Sequence, residues 1–341
     1  MIEISNLSGE LGEFRLRDIN LQVDEAEYLV ILGPTGAGKT VLLEYVVGIH
    51  RPRQGTILVE GQDITGLDIE ERNIAYVPQD YALFPNMNVE KNIAFGLAAR
   101  RVKQRTIDET VERILTALGI EHLRFRMPLN LSGGEKQRVA LGRAMATGPK
   151  LVLLDEPLSA LDESLRSSMA RELRRIQKTL NGTFIHICHN FEEAADVADR
   201  IAVMNQGRLV QTGTLEEIMR NPKNEFVTRF LKTQNIFDAV SDGALLTVGD
   251  MVLRKPGTRP GEVVGAIRPE NITLVDNNGS RGENVFSGRI VRMQRKPCFV
   301  ELEVDIGIPL ILYSTPDNGC KEGETVSVEL APGHIIVTEK E

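Results

Sequence analysis

The 341-residue sequence is poor in cysteine: Cys188, Cys298 and Cys320 are scattered, without the close spacing that binds a metal. They form no disulfide framework, and a cytosolic compartment is the expectation. Positive charge is not in excess either. The formal net charge of −8 argues against broad electrostatic binding to nucleic acid or anionic lipid. No apolar run approaches the roughly 20 residues of a membrane-spanning helix. The start, Met1–Ser5, lacks the basic and apolar regions of a signal peptide. A role at a membrane therefore needs another chain to hold this one there. There is also no low-complexity tract and no long internal repeat.

What is present divides into two textures. Up to about Leu231, short apolar runs (Thr56–Val59, Ile74–Val77, Leu151–Leu154, Thr183–Ile187, Arg200–Asn205) alternate with helical patterns (Arg105–Leu118, Gly134–Ala146, Leu165–Leu180, Glu192–Ala198). That alternation predicts a layered α/β domain over 1–231. From 236 to 341, short β-branched runs are separated by turn signals such as Asn277-Asn278-Gly279 and Asp317-Asn318-Gly319. This predicts an all-β module, a small barrel, with the boundary near Lys232–Phe237.

The most specific stretch is Gly33-Pro34-Thr35-Gly36-Ala37-Gly38-Lys39-Thr40, which meets every fixed position of the phosphate-binding loop G-x-x-x-x-G-K-[ST]. An apolar strand, Tyr28–Leu32, precedes it and a buried helix, Val41–Val47, follows, the context such a loop requires. Glycines let backbone N–H groups close around phosphate oxygens, and the helix N-terminus adds partial positive charge. Lys39 is placed to reach the β- and γ-phosphates and Thr40 to offer its hydroxyl to Mg²⁺. The chain is therefore expected to bind a nucleoside triphosphate.

Two further stretches carry chemistry. In Leu131-Ser132-Gly133-Gly134-Glu135, the spacing of Ser132 and Glu135 is that of a capping box at a helix start. Taken alone this is a well-capped helix, although the two glycines also offer amides to an anion. Leu151–Leu154 ends in Asp155-Glu156, which puts two carboxylates at the carboxyl edge of a sheet, where open α/β sheets bind ligands. Asp155 suits Mg²⁺ and Glu156 suits a general base acting on water. In isolation the pair reads equally as charge at a helix N-terminus.

In this order the three stretches resemble the nucleotide-binding domain of the ATP-binding-cassette family. The resemblance implies ATP as the nucleotide, with Mg²⁺, and roles for further residues. Gln79 matches the glutamine that contacts Mg²⁺ and the attacking water. Ser159-Ala160-Leu161-Asp162 matches the loop that crosses to a partner subunit, and His189 matches the switch histidine that orients Glu156. It also implies a homodimer, in which Ser132, Gly133, Gly134 and Asp162 of one copy complete the ATP site of the other. Departures are Glu135 for glutamine, Cys188 for threonine and Asn190 for aspartate; Asn190 can still cap the following helix, with Glu193 at the reciprocal position. The adenine-stacking aromatic of the family falls near Leu11, with Phe14 as its substitute here. His186 and His189, at an odd offset in a strand, face opposite ways, so His186 reads as structural rather than as a metal ligand.

Only about 90 residues separate Lys39 from Leu131, too few for a long coiled coil. The segment Tyr81–Val89, continuing through Asn92–Leu97, resembles the surface on which importer cassettes receive helices of membrane subunits. Ile267–Ile272 resembles a phrase of the OB-like, molybdate-binding-like β modules that follow importer cassettes. The Pro34–Ala37 variant and Gly288–Val304 most resemble archaeal molybdate/tungstate importer subunits. The resemblance implies two transmembrane permease subunits, an extracytoplasmic substrate-binding protein, no nucleic acid, and a peripheral place on the cytoplasmic face of the cell membrane. Sulfate or thiosulfate, polyamine and sugar are alternative cargoes, and a soluble cassette ATPase of DNA repair or translation is the rival of another class. Residues 236–341 hold 16 acidic against 11 basic residues, so the module as a whole does not attract anions. A local oxyanion site from Arg292, Arg295, Lys296, Ser314 or Thr315 competes with a solvated basic turn.

Overall fold

The computed structural model describes residues 1–159, 162–231, 233–275, 282–316 and 319–340, with the backbone alone at 163 and 164. Asn277–Gly279, Asp317, Asn318, Ala160, Leu161 and Lys232, named above for turns, loop and boundary, lie outside that set. The chain divides into two compact units, Met1–Leu215 and Glu216–Glu341.

In the first unit a six-stranded sheet runs in the order Arg208–Gly213, Arg200–Asn205, Tyr28–Leu32, Thr183–Cys188, Leu151–Asp155, Ile74–Val77. All neighbours pair in parallel except the antiparallel edge strand Arg208–Gly213. Every residue of Tyr28–Leu32, Leu151–Asp155 and Thr183–Cys188 is buried. Such unbroken apolar runs are what a parallel sheet covered on both faces demands. A second, antiparallel sheet forms from Phe14–Val23, Ile2–Leu11, Gln54–Val59 and Gln62–Asp63. The helix Lys39–Val47 shares one apolar core with both sheets: Leu42, Leu43 and Val46 pack with Ile4, Ile19, Ile57, Ile31 and Leu153. Helices Val89–Ala99, Gln104–Leu118 and Gly133–Ala146 pack on one another as a helical subdomain. The result is the mixed α/β architecture expected.

The second unit opens with two short helices, Leu215–Arg220 and Glu225–Phe230, the first beginning at the unit border. From Ile236 onward the described residues form strands and single 3-10 turns only. They make two five-stranded antiparallel sheets around one core that includes Leu246, Leu253, Ile290, Leu302, Leu312 and Val328. Buried Asn284 ties them: its amide donates to the carbonyls of Arg254 in one sheet and Leu330 in the other.

Candidate functional site

Strand Tyr28–Leu32 delivers the chain into a loop whose glycines are sterically required. A Cβ at Gly33 would meet the carbonyl oxygen of Met204 at 2.3 Å, and Gly38 adopts a left-handed φ of 98° with the Phe14 ring 2.2 Å from where its Cβ would be. Phe14 thus lies against the loop. Pro34, Thr35 and Gly36 are exposed, Ala37 is buried, and Lys39 opens the helix while only 6% exposed. Its Nζ donates to the carbonyls of Gly33 (2.8 Å) and Pro34 (3.1 Å). Burial pulls the Lys39 ammonium below its ordinary range, against the opposing pull of Glu156, Cys188 and Asp155.

The acidic edge lies beside this lysine. Asp155 ends its strand almost fully buried; Thr40 donates to its Oδ1 at 3.2 Å and Tyr76 to its Oδ2 at 3.1 Å. Burial raises the Asp155 carboxyl above the usual range, and these two donors oppose that shift. A buried carboxylate next to a hydroxyl, both hard oxygen donors, fits Mg²⁺. Glu156 follows at φ 45°, a left-handed conformation unusual outside glycine, with its N–H donating to the carbonyl of Ile187 at 3.0 Å. His189, just past the end of strand Thr183–Cys188 and 53% exposed, places Nδ1 3.6 Å from Glu156 Oε2. Gln79 Nε2 donates to Ser159 Oγ (3.1 Å), which donates to the carbonyl of Glu156 (2.9 Å). The structure therefore gathers Lys39, Thr40, Gln79, Asp155, Glu156 and His189 at one sheet edge. Tyr76 as the support of Asp155, and Ser159 as the link between Gln79 and Glu156, are not apparent in the motifs.

Ser132, Gly133 and Gly134 stand apart from this cluster in their bonding. Ser132 caps helix Gly133–Ala146: its Oγ accepts from the Glu135 N–H at 3.4 Å, and its own N–H donates to Glu135 Oε2 at 2.7 Å. Asp162 is the N-cap residue of helix Glu163–Leu180, and its side chain makes no capping bond.

Asn190 caps helix Phe191–Val197 as expected, its Oδ1 accepting from the amides of Glu192 (2.8 Å) and Glu193 (3.3 Å). The reciprocal bond does not form. Glu193 turns inward instead and is buried, its Oε1 2.9 Å from His186 Nε2. His186 is fully buried. The Cys188 thiol, pushed well up by burial, donates to the carbonyl of Asn190 at 3.3 Å.

After Gln79 the loop is pinned from two sides. The buried Asn92 amide accepts from the N–H of Phe84 and donates to the carbonyls of Phe84, Met87 and Asn88. Arg143 donates to the carbonyls of Tyr81 and Ala82, two successive residues at positive φ. The rings of Phe84 and Phe95 meet at 4.3 Å, with Phe95 partly in solvent.

In the second unit, strand register sets Arg295 and Ser314 on either side of Val300, and Arg292 and Arg295 are exposed, as is Thr315. Arg268, inside the Ile267–Ile272 phrase, has a buried Nη2 with no hydrogen-bond partner. The sequence reading gave that residue no role. Among the described residues no helix is long and apolar enough to cross a membrane.

The family described as ABC transporter matches residues 16–159. The chain is 43% identical over 343 residues to the molybdate/tungstate import ATP-binding protein WtpC of Pyrococcus horikoshii, covering 99% of each. It is 45% identical over 276 residues to the WtpC of Thermococcus kodakarensis, covering 81% of this chain and 84% of that one. It is also 40% identical over 349 residues to the spermidine/putrescine import ATP-binding protein PotA of Borreliella afzelii, covering 100% of this chain and 99% of the relative.

Proposed function

The chain belongs to the ATP-binding-cassette transporter family, and from that premise we propose that it is the ATP-hydrolysing subunit of an importer whose cargo is molybdate or tungstate. The observation that carries the reading is the convergence of Lys39, Thr40, Asp155, Glu156 and His189 at one sheet edge, in a chain matched end to end by a molybdate/tungstate import ATP-binding protein.

The loop Gly33–Thr40, through its backbone N–H groups other than at Pro34, and the Lys39 ammonium hold the phosphates, and Phe14 stacks on adenine. Thr40, Asp155 and Gln79 hold Mg²⁺, which when bound offsets charge on the phosphate oxygens. Glu156 takes the proton of the attacking water and His189 steadies it. Two copies pack head to tail, each supplying Ser132, Gly133, Gly134 and Asp162 to the other's nucleotide. Two permease subunits seat on the Tyr81–Leu97 surface at the cytoplasmic face of the membrane and work with an extracytoplasmic binding protein. The ATPase domain spans 1–231, and 236–341 forms an OB-like, molybdate-binding-like regulatory barrel. Support for an anion there is the unpaired Nη2 of Arg268.

The test is ATP hydrolysis by the chain assembled with its permease and binding protein in vesicles. Stimulation by tungstate or molybdate is expected. Stimulation by sulfate or spermidine in their place removes the cargo assignment, and failure to assemble with any permease removes the importer reading.

A further inference from the structure

Behind the switch histidine lies a run of three buried polar side chains. Tyr28 stands on the strand that leads into the phosphate loop, His186 on the neighbouring strand, and Glu193 on the helix that follows His189. Tyr28 Oη is 2.9 Å from His186 Nδ1, and His186 Nε2 is 2.9 Å from Glu193 Oε1. Both atoms are buried and neither has a hydrogen-bond partner, so their 2.9 Å approach is a close polar contact without hydrogen-bond geometry. A carboxylate beside Nε2 favours the imidazole proton on that nitrogen, an arrangement in which Nδ1 accepts from the Tyr28 hydroxyl.

Such a pair is an expensive way to fill a core, because apolar groups of the same volume serve stability as well or better. What a directed polar contact offers beyond an apolar one is a fixed geometry. Glu193 also gives up the surface capping position open to it at the start of its helix. The two feet of the contact stand on either side of His189: the strand ends at Cys188 and the helix begins at Phe191. Only the switch turn lies between them, and its inner side is held by the Cys188 thiol on the carbonyl of Asn190.

We propose that Tyr28, His186 and Glu193 form a positioning bracket that sets where His189 stands relative to Glu156 and ties it to the strand feeding the phosphate loop. His186 and Glu193 touch no reacting atom; they act through His189. The proposal rests on the reading of Glu156 and His189 as the hydrolytic pair. One rival use of the same groups is a cation, since His186, Cys188 and Glu193 offer ligand atoms within 4.8 Å of one another.

The two amide replacements of histidine separate the contacts. His186→Gln keeps a donor at the Nε2 position toward Glu193, whereas His186→Asn keeps only the Nδ1 side toward Tyr28. The experiment measures kcat and KM for ATP, nucleotide affinity with a fluorescent ATP analogue, thermal melting and zinc content, all on the full chain. Glu156→Gln and His189→Ala serve as controls. With both controls inactive, His186→Asn is expected to lower kcat about tenfold or more with KM within about twofold, and His186→Gln to recover most of kcat. Should His186→Asn fail to fold, Tyr28→Phe removes one hydroxyl and is expected to give the same split at about threefold. Wild-type kcat in His186→Asn beside inactive controls overturns the bracket alone. So does a matched loss of kcat, nucleotide affinity and melting temperature, or stoichiometric zinc in the wild-type chain. Wild-type hydrolysis in Glu156→Gln or His189→Ala overturns the site reading and the bracket with it.

Discussion

His189 Nδ1 lies 3.6 Å from Glu156 Oε2, although the two residues leave adjacent parallel strands 33 positions apart in the chain. Glu156 has a left-handed backbone, and Asp155 beside it is bonded instead by the hydroxyls of Thr40 and Tyr76. Two acids that are neighbours in sequence are thereby given different partners.

Glu156→Gln keeps the volume and removes the proton acceptor. ATP binding is expected to stay within about twofold of wild type while kcat falls by roughly 10² to 10⁴. Filter binding and steady-state phosphate release check it; a small effect on kcat contradicts the general-base role.

Tyr76→Phe removes one of the two donors that oppose the burial-driven rise of the Asp155 carboxyl. Losing that donor destabilises the ionised form, so the carboxyl moves further up and protonates at a higher pH. Protonated Asp155 cannot bind a cation. The Mg²⁺ concentration for half-maximal hydrolysis is therefore expected to rise about tenfold, and to climb sooner than in wild type as pH falls. A Mg²⁺ titration repeated across pH measures this.

Lys39→Ala removes the ammonium that bridges the carbonyls of Gly33 and Pro34. Affinity for ATP is expected to drop about 10- to 100-fold, the scale of a lost charge-assisted hydrogen bond. Isothermal titration reads it directly.

Asn92→Ala strands the groups that the buried amide now satisfies around Phe84–Asn88. A loss of about 2–4 kcal/mol in urea unfolding is expected, together with weaker permease co-purification. Full stability would contradict the pinning role of the Asn92 amide.

The phosphate loop, the Ser132 cap and the strand ending at Asp155 were legible because each is a contiguous run whose local physics decides its conformation. Leu151–Asp155 and Thr183–Cys188 announced themselves as unbroken apolar stretches, as strands buried on both faces must. Tyr76 was hidden: its bond to Asp155 exists only because Ile74–Val77 pairs in parallel with Leu151–Leu154, placing Tyr76 opposite Leu153. The helices Leu215–Arg220 and Glu225–Phe230 are too short for their periodicity to stand out. Glu193 shows a local rule yielding to a tertiary demand, since its spacing from Asn190 suggests a surface cap while the buried ring of His186 takes the carboxylate.

The most direct measurement is the mass of the Glu156→Gln chain in saturating ATP and Mg²⁺ by analytical ultracentrifugation, with bound nucleotide counted. A dimer carrying two ATP molecules, dispersed to monomers by Ser132→Arg, is the predicted result. A nucleotide-loaded chain that stays monomeric contradicts it.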